Sequence, residues 1–274
     1  MYTTIKIVNI ILPFLYLLTF GVYLFDFIKG IKQIANSKRI FLFITLLFHV
    51  FYLLSWTVEF NHPPITNVFE IFTVLAFSLS CSYFLLELFT DIRGTGLFII
   101  IFSFLFQTIS SIFIQDSPEV REVLRNRLLG LHVISALLGY SGITISAVYG
   151  ILFWILYKEI KLNRFGLIFK RLPSLEILEN LSYSSAVIGF ILLTVAIIIG
   201  IIWLPSAFPN FTYFDPKLIG TGLIWLIYGA GIISRFLGKL QGKKVIIFSI
   251  VGFIIAISST IFTNFLAKSF HSFY

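Results

Sequence analysis

The stretch WLPSAFPNFTYFDPK (203–217) decides how this chain is read. Long apolar runs flank it on both sides, and Trp203, Phe208, Phe211, Tyr213 and Phe214 are interleaved with Pro205, Pro209 and Pro216. Proline lacks a backbone donor and clashes with the preceding turn, so Pro209 and Pro216 forbid a regular helix through the segment. Non-helical backbone cannot lie bare in hydrocarbon, where its amides find no partners. The segment is therefore expected at a membrane surface or lining a cavity, and its flat rings suit a large planar ligand.

Working outward, the rest of the chain is a frame of apolar runs. Of 274 residues, 58% are hydrophobic and 12% charged, with mean hydropathy +1.01. A soluble globular protein carries about 45–50% apolar and about 25% charged residues. The runs approach the roughly 20 residues that cross a bilayer as helix, and they lack the short alternating segments of a membrane barrel. The expected fold is an all-α integral membrane protein, one domain over 1–274, with eight spans near 5–28, 40–57, 67–89, 95–114, 128–157, 183–203, 218–237 and 245–267. The first run is too long for a signal peptide and has no small-residue cleavage site. It is kept as a span.

Orientation follows from the basic residues. The odd-numbered loops hold Lys29, Lys32, Lys38, Arg39, Arg93, the cluster Lys158, Lys161, Arg164, Lys170 and Arg171, and then Arg235, Lys239, Lys243 and Lys244. The other side, both termini included, holds only Lys6, Arg121, Arg125, Arg127, Lys217 and Lys268. The excess puts the odd loops in the cytoplasm and both termini outside, N-out/C-out, which makes 203–217 extracytoplasmic. The same clustering accounts for the net charge of +8 without nucleic acid. Two loops carry more than a turn: 116–127 (DSPEVREVLRNR) opens on a cap and fits a short surface helix, and 172–181 (LPSLEILENL) reads as an interfacial amphipathic helix.

The chemistry-bearing residues are few. Cys81 is the one cysteine, so neither a disulfide framework nor a CxxC pair exists, and without CxxCH the chain cannot carry covalent c-type haem. No HExxH or Cys/His cluster supports zinc hydrolysis, no Ser-His-Asp spacing is present, and no glycine-rich phosphate loop follows a strand. His132 opens span five and His271 follows span eight, both on the outer side. Two neutral imidazoles at one depth can supply both axial bonds to a haem iron across an aromatic cleft. A histidine at a helix end can equally be an interfacial hydrogen-bonding residue. His62 lies in an external loop. His49 lies near the middle of span two and is either a ligand or relay position, or a hydrogen bond to a neighbouring helix. Gly139, Gly142 and Gly150, with Ser135 and Ser146, allow close helix packing.

Taken in order, these segments resemble the cytochrome c assembly membrane family, comprising CcsA/ResC, CcmC and HemX-like proteins. HPPITNVFEIF (62–72) is similar to that family's G-H-x-P-x-x-N-x-x-E-S-L segment, with Pro64, Asn67 and Glu70 in step. LLGLHVISALLGYSG, around His132, resembles its W-x-x-H-V helix start. WLIYGAGIISR (225–235) and the terminal HSFY resemble its W-L-x-Y…R span and its L-H-S-Y end. The family's external motif W-A-x-x-A-W-G-x-Y-W-x-W-D-P-K-E aligns on 203–218 without gaps. Trp203, Ala207, Asp215, Pro216 and Lys217 are kept, but Phe208, Thr212 and Phe214 stand where tryptophans would be, and Phe211 replaces the tyrosine.

The resemblance implies non-covalent haem b held by His132 and His271 as iron ligands, beside Trp203, Phe208, Phe211, Phe214 and Asp215. Secondary candidates are His49 and His62; Arg121, Arg125, Arg127, Lys217 and Lys268 are external cations that either pair with propionates or form a solvated rim. Phenylalanine rings still stack on a porphyrin, although they lose the indole N–H. The family's seventh-span histidine falls on Ile233, which argues against a full intramembrane haem path. The implied function is haem handling during cytochrome c biogenesis, as a haem chaperone or accessory subunit rather than an autonomous enzyme. The implied setting is a multi-pass protein of a bacterial inner membrane, working with a membrane partner of the maturation system. Two other readings stay open: a HemX-like regulator or anchor of cytoplasmic glutamyl-tRNA reductase, docking on 158–171 and 172–181, and a degenerate scaffold that binds no haem.

Overall fold

Gly30 stops the first helix. Its φ of +64° is open to glycine at little cost, and its amide donates to Asp26 O at 2.7 Å, closing the C-terminus of α1 (Tyr2–Lys29). The chain, seen in a computed structural model, is described over residues 2–30, 34–114, 127–207 and 214–262. These residues form α1, α2 (Ile34–Phe60), α3 (Val68–Thr90), α4 (Gly96–Phe113), α5 (Arg127–Lys161), α6 (Leu167–Arg171), α7 (Leu175–Ala207), α8 (Pro216–Phe236) and α9 (Lys243–Ile261). All but α6 contain a segment long and apolar enough to cross a membrane. The protein is a multi-pass membrane protein, with eight candidate spans among the described residues.

Two helix groups divide the chain, Met1–Asn126 with Glu159–Pro173, and Arg127–Lys158 with Ser174–Tyr274. In the first, α1 packs on α2 and α4, and α3 on α2 and α4, closing a ring of four helices. Its outward side chains are apolar (Phe14, Leu17, Phe43, Leu54), whereas Thr19, Thr45, His49, Thr73, Glu87 and Gln107 are buried. This inversion is what lipid selects, because a polar group facing hydrocarbon finds no partner there.

The α1–α2 contact is an antiparallel polar seam. Lys38 Nζ meets Asp26 at 2.9 Å, the Thr19 and Thr45 hydroxyls lie 2.8 Å apart, and Tyr16 Oη lies 2.9 Å from His49 Nδ1. From Asp26 to Tyr16 this covers about 15 Å of helix axis. From His49 the bonds run around the ring: Nε2 to Thr73 Oγ1 (3.0 Å), Thr73 to Gln107 Oε1 (2.8 Å), Gln107 Nε2 to Ser111 Oγ (2.9 Å), and Ser111 Oγ to Asn9 O on α1 (2.9 Å).

The second group packs by close backbone approach. A methyl at Gly142 would come within 2.8 Å of Gly189 Cα, and one at Gly139 within 2.7 Å of Leu193 Cγ, so α5 and α7 meet through their glycines. Ser182 Oγ donates to Ser146 O at 2.9 Å, and Tyr228 Oη to Ser249 O at 2.9 Å. Ile143, Ala186, Leu193, Ile224, Tyr228 and Ala256 form its apolar core.

Several expectations change. The residues 175–181 do not form a separate interfacial helix; they are the first turns of α7, which runs unbroken from Leu175 because no glycine or proline interrupts it before Gly189. Residues 203–207 are helical as well. Pro205 sits in the final turns of α7, where a missing donor costs one bond, so the helix includes it and is described to Ala207. Lys38, counted among loop cations, is 1% exposed inside α2. Arg39 is likewise helical and donates to Asp91. The surface helix expected at 116–127 lies outside the described residues except for Arg127, which begins α5.

Candidate cofactor site

His132 lies in the second turn of α5 and leans against α7. Its Nδ1 is 2.8 Å from Ala196 O. A carbonyl can only accept, so the hydrogen sits on Nδ1 and the lone pair on Nε2. Gly200, one turn beyond Ala196, makes this fit: a methyl there would stand 3.0 Å from Cε1 and 3.1 Å from Nδ1. Glycine at 200 thus admits the ring onto the α7 backbone. Nothing in the sequence marked that residue, since a glycine in an apolar run carries no sign of what crosses it.

The described residues of the 203–217 stretch are the end of α7 and the start of α8. Trp203 on α7 is buried. Asp215 is the N-cap of α8, with Oδ1 accepting the Lys217 amide at 2.8 Å, and Pro216 occupies the first helical position, where its missing donor is harmless. The carboxylate of the kept Asp-Pro-Lys triplet therefore starts a helix. Lys217, in the first turn of α8, is near enough for its charge to act on His132. Phe214 projects outward at 85% exposure. Phe208, Phe211, His271, Arg121 and Arg125 lie outside the described residues, as does the Arg127 side chain.

The remaining histidines belong to the first helix group. Thr73 spends its hydroxyl hydrogen on Gln107, so His49 Nε2 donates to Thr73 and, in the neutral ring, Nδ1 accepts from Tyr16. Both nitrogens of His49 are engaged, which is the interhelical arrangement among its alternatives. His62 is buried, its Nδ1 donates to Pro63 O at 2.9 Å, and its Nε2 has no hydrogen-bond partner among the described residues. Asn67 and Glu70, in step with the family segment, serve as a helix cap. Asn67 Oδ1 accepts from the amides of Phe69 and Glu70, and Glu70 Oε2 from the Thr66 amide at 2.7 Å.

Sequence reasoning missed a buried charge cluster at the α1–α2 turn end of the first group. Glu87 is fully buried, with Lys38 Nζ at 3.2 Å and Tyr23 Oη donating at 2.6 Å, while Lys38 also meets Asp26. The signals available were two acids near the ends of apolar runs, Asp26 in the first and Glu87 in the third. Outside the spans, the Arg39 guanidinium bonded to Asp91, with Arg93 adding its charge, holds the Asp91 carboxyl below its usual value.

Comparison with known proteins adds the family. A model described as Cytochrome C assembly protein matches residues 39–271. The cytochrome c biogenesis protein CcsA of Pyropia yezoensis is 27% identical over 282 residues, covering 88% of this chain and 88% of that protein. CcsA of Guillardia theta is 26% identical over 269 residues, covering 91% and 88%. Protein HemX of Bacillus subtilis (strain 168) is 28% identical over 141 residues, covering 52% of this chain and 51% of its own length.

Proposed function

This chain belongs to the cytochrome c assembly protein family, and from that premise we propose that it binds b-type haem through His132 and passes it on during cytochrome c biogenesis. The role in cytochrome c assembly comes with the family. The single observation that carries the finer reading is the bond from His132 Nδ1–H to Ala196 O. Metal-ligating histidines usually donate their second nitrogen to a carbonyl or carboxylate, which fixes the tautomer and raises the basicity of the ligating atom. His132 fits iron on those grounds, with Nε2 offering its lone pair. Haem, when bound, supplies the iron porphyrin to be delivered. The residues that would hold it are His132 and His271 at the iron, Trp203, Phe208, Phe211 and Phe214 beside the ring, and Lys217, Arg121, Arg125 and Arg127 pairing with its carboxylates. Asp215 acts by setting the start of α8, and so the position of Lys217.

In this reading 1–274 is one assembly-type domain with both termini and the 203–217 stretch on the outer face. Its proposed setting is a bacterial cytoplasmic membrane and its proposed partner a membrane protein of the maturation system; the eight apolar helices among the described residues and the family support the membrane part of that reading. Haem added to the purified protein should give a low-spin Soret spectrum that His132→Ala and His271→Ala each abolish. Spectra unchanged in both variants would reject the site.

The HemX match favours a second reading, a membrane regulator or anchor of glutamyl-tRNA reductase. Recovery of that enzyme in a pull-down, lost on charge reversal in 158–171, would select it. Neither haem binding nor enzyme recovery would leave the non-haem scaffold.

A further inference from the structure

We propose that residues 159–173 form an interfacial site for anionic phospholipid headgroups. The spans α5 and α7 are consecutive, so the connection between them stays at one membrane surface. Left-handed Asn163 (φ 52°) turns the chain just past α5. From Lys161 to Lys170 every residue but Ile168 is exposed, and apolar and cationic side chains are interspersed. Leu162 (56% exposed), Phe165 (54%), Leu167 and Phe169 are apolar, with the two phenylalanine rings packed edge to face at 4.9 Å. Lys161, Arg164 and Lys170 are cationic, and Glu159 is the one acid of the segment.

The segment is built into the first helix group. Arg171 Nη2 donates to Ile28 O at 3.2 Å, satisfying a terminal carbonyl of α1, and Leu172 is buried. Gly94, in the left-handed region at φ 88°, leaves room for Arg171 O, which a methyl there would strike. The apolar and basic side chains are therefore presented from a fixed backbone at the level where span meets headgroup.

Apolar rings and leucines at that level enter the acyl boundary, and basic side chains among them reach phosphate. The charge complement is an anionic lipid: each Lys or Arg held near such a surface adds roughly fivefold in affinity. An acidic protein would match the cations but would leave the leucine and phenylalanine side chains facing lipid from a segment tethered to the membrane at both ends. The inference does not rest on haem binding.

The test uses the full chain, delipidated in detergent and offered phosphatidylglycerol or phosphatidylcholine, with bound lipid counted by native mass spectrometry. Retention of phosphatidylglycerol should exceed that of phosphatidylcholine about tenfold or more, and the triple variant Lys161→Gln, Arg164→Gln, Lys170→Gln should lose that preference. Arg171 is left in place because it caps α1. Equal retention, or a preference that survives in the variant, overturns the proposal. A second measurement is independent of how that variant folds. The fluorescence of Phe165→Trp, compared with that of the parent chain in vesicles of brominated phosphatidylglycerol, should show a quenched added component. An unquenched component overturns the proposal. So does charge-sensitive capture of a soluble enzyme without any lipid preference, which assigns the segment to protein docking.

Discussion

His49 and His132 are both carried on membrane-spanning helices, and their surroundings use the imidazole differently. In the first helix group His49 is a link in a ring of side-chain hydrogen bonds joining α1, α2, α3 and α4, and Tyr16 and Thr73 take both its nitrogens. In the second group α5 and α7 approach through glycine, the histidine leans on a backbone carbonyl, and among the described residues only Nδ1 has a hydrogen-bond partner. Side-chain networks hold helices together by using up donors and acceptors. Close backbone packing holds them without that cost in functional groups, and it leaves Nε2 of His132 available. The contrast separates a histidine that builds the bundle from one that can serve a ligand.

The largest expected effect comes from breaking the polar interior. Lys38→Met leaves Glu87 and Asp26 without their buried cation, and removing one partner of such a pair costs about 3–5 kcal/mol. Denaturant titration in detergent should show this loss, and wild-type stability in the variant would mean the cluster is not formed. Next is the glycine contact of the second group. Gly142→Leu forces bulk against the Gly189 backbone and should cost about 1–3 kcal/mol by the same assay.

His49→Ala sharpens the comparison directly. It strands buried partners at Tyr16 and Thr73 and should cost about 1–3 kcal/mol while the haem spectrum stays as in the parent. His132→Ala should do the reverse, abolishing the low-spin spectrum with a smaller stability change. Interchanged outcomes would break the distinction. The smallest effect is on pH dependence. The Asp91 carboxyl is held low by Arg39 and then Arg93, so its contribution is complete above the ordinary carboxylate value and fades as pH falls through the depressed one. Asp91→Asn should flatten the acid limb of the stability profile slightly, because the group is exposed. A steeper acid limb would contradict the pairing.

Span number and approximate limits were legible because a bilayer imposes a minimum apolar length that a linear scan can detect. The packing glycines Gly139, Gly142 and Gly150 were legible too, since small residues in a span have few other uses. Gly189 and Gly200 were as visible in the sequence, yet their partners, a facing backbone and an imidazole, depend on which helix crosses where. Lys38 read as a loop cation because its burial needs Asp26 and Glu87 brought together from two other helices. The non-helical reading of 203–217 reached back to Trp203, whereas Pro205 lies in the last turns of a long helix, where a proline is tolerated.

By itself, then, the sequence determined that the chain crosses a membrane on helices, which family it resembles, and which histidines had to be asked about. Those are properties of composition, run length and order along one dimension. Tertiary structure alone decided that His49 is spent on its neighbours and that, among the described residues, His132 bonds through Nδ1 alone. An imidazole's chemistry is set by what its two nitrogens touch, and those partners, Tyr16 and Thr73 for one and Ala196 for the other, come from helices distant in the chain.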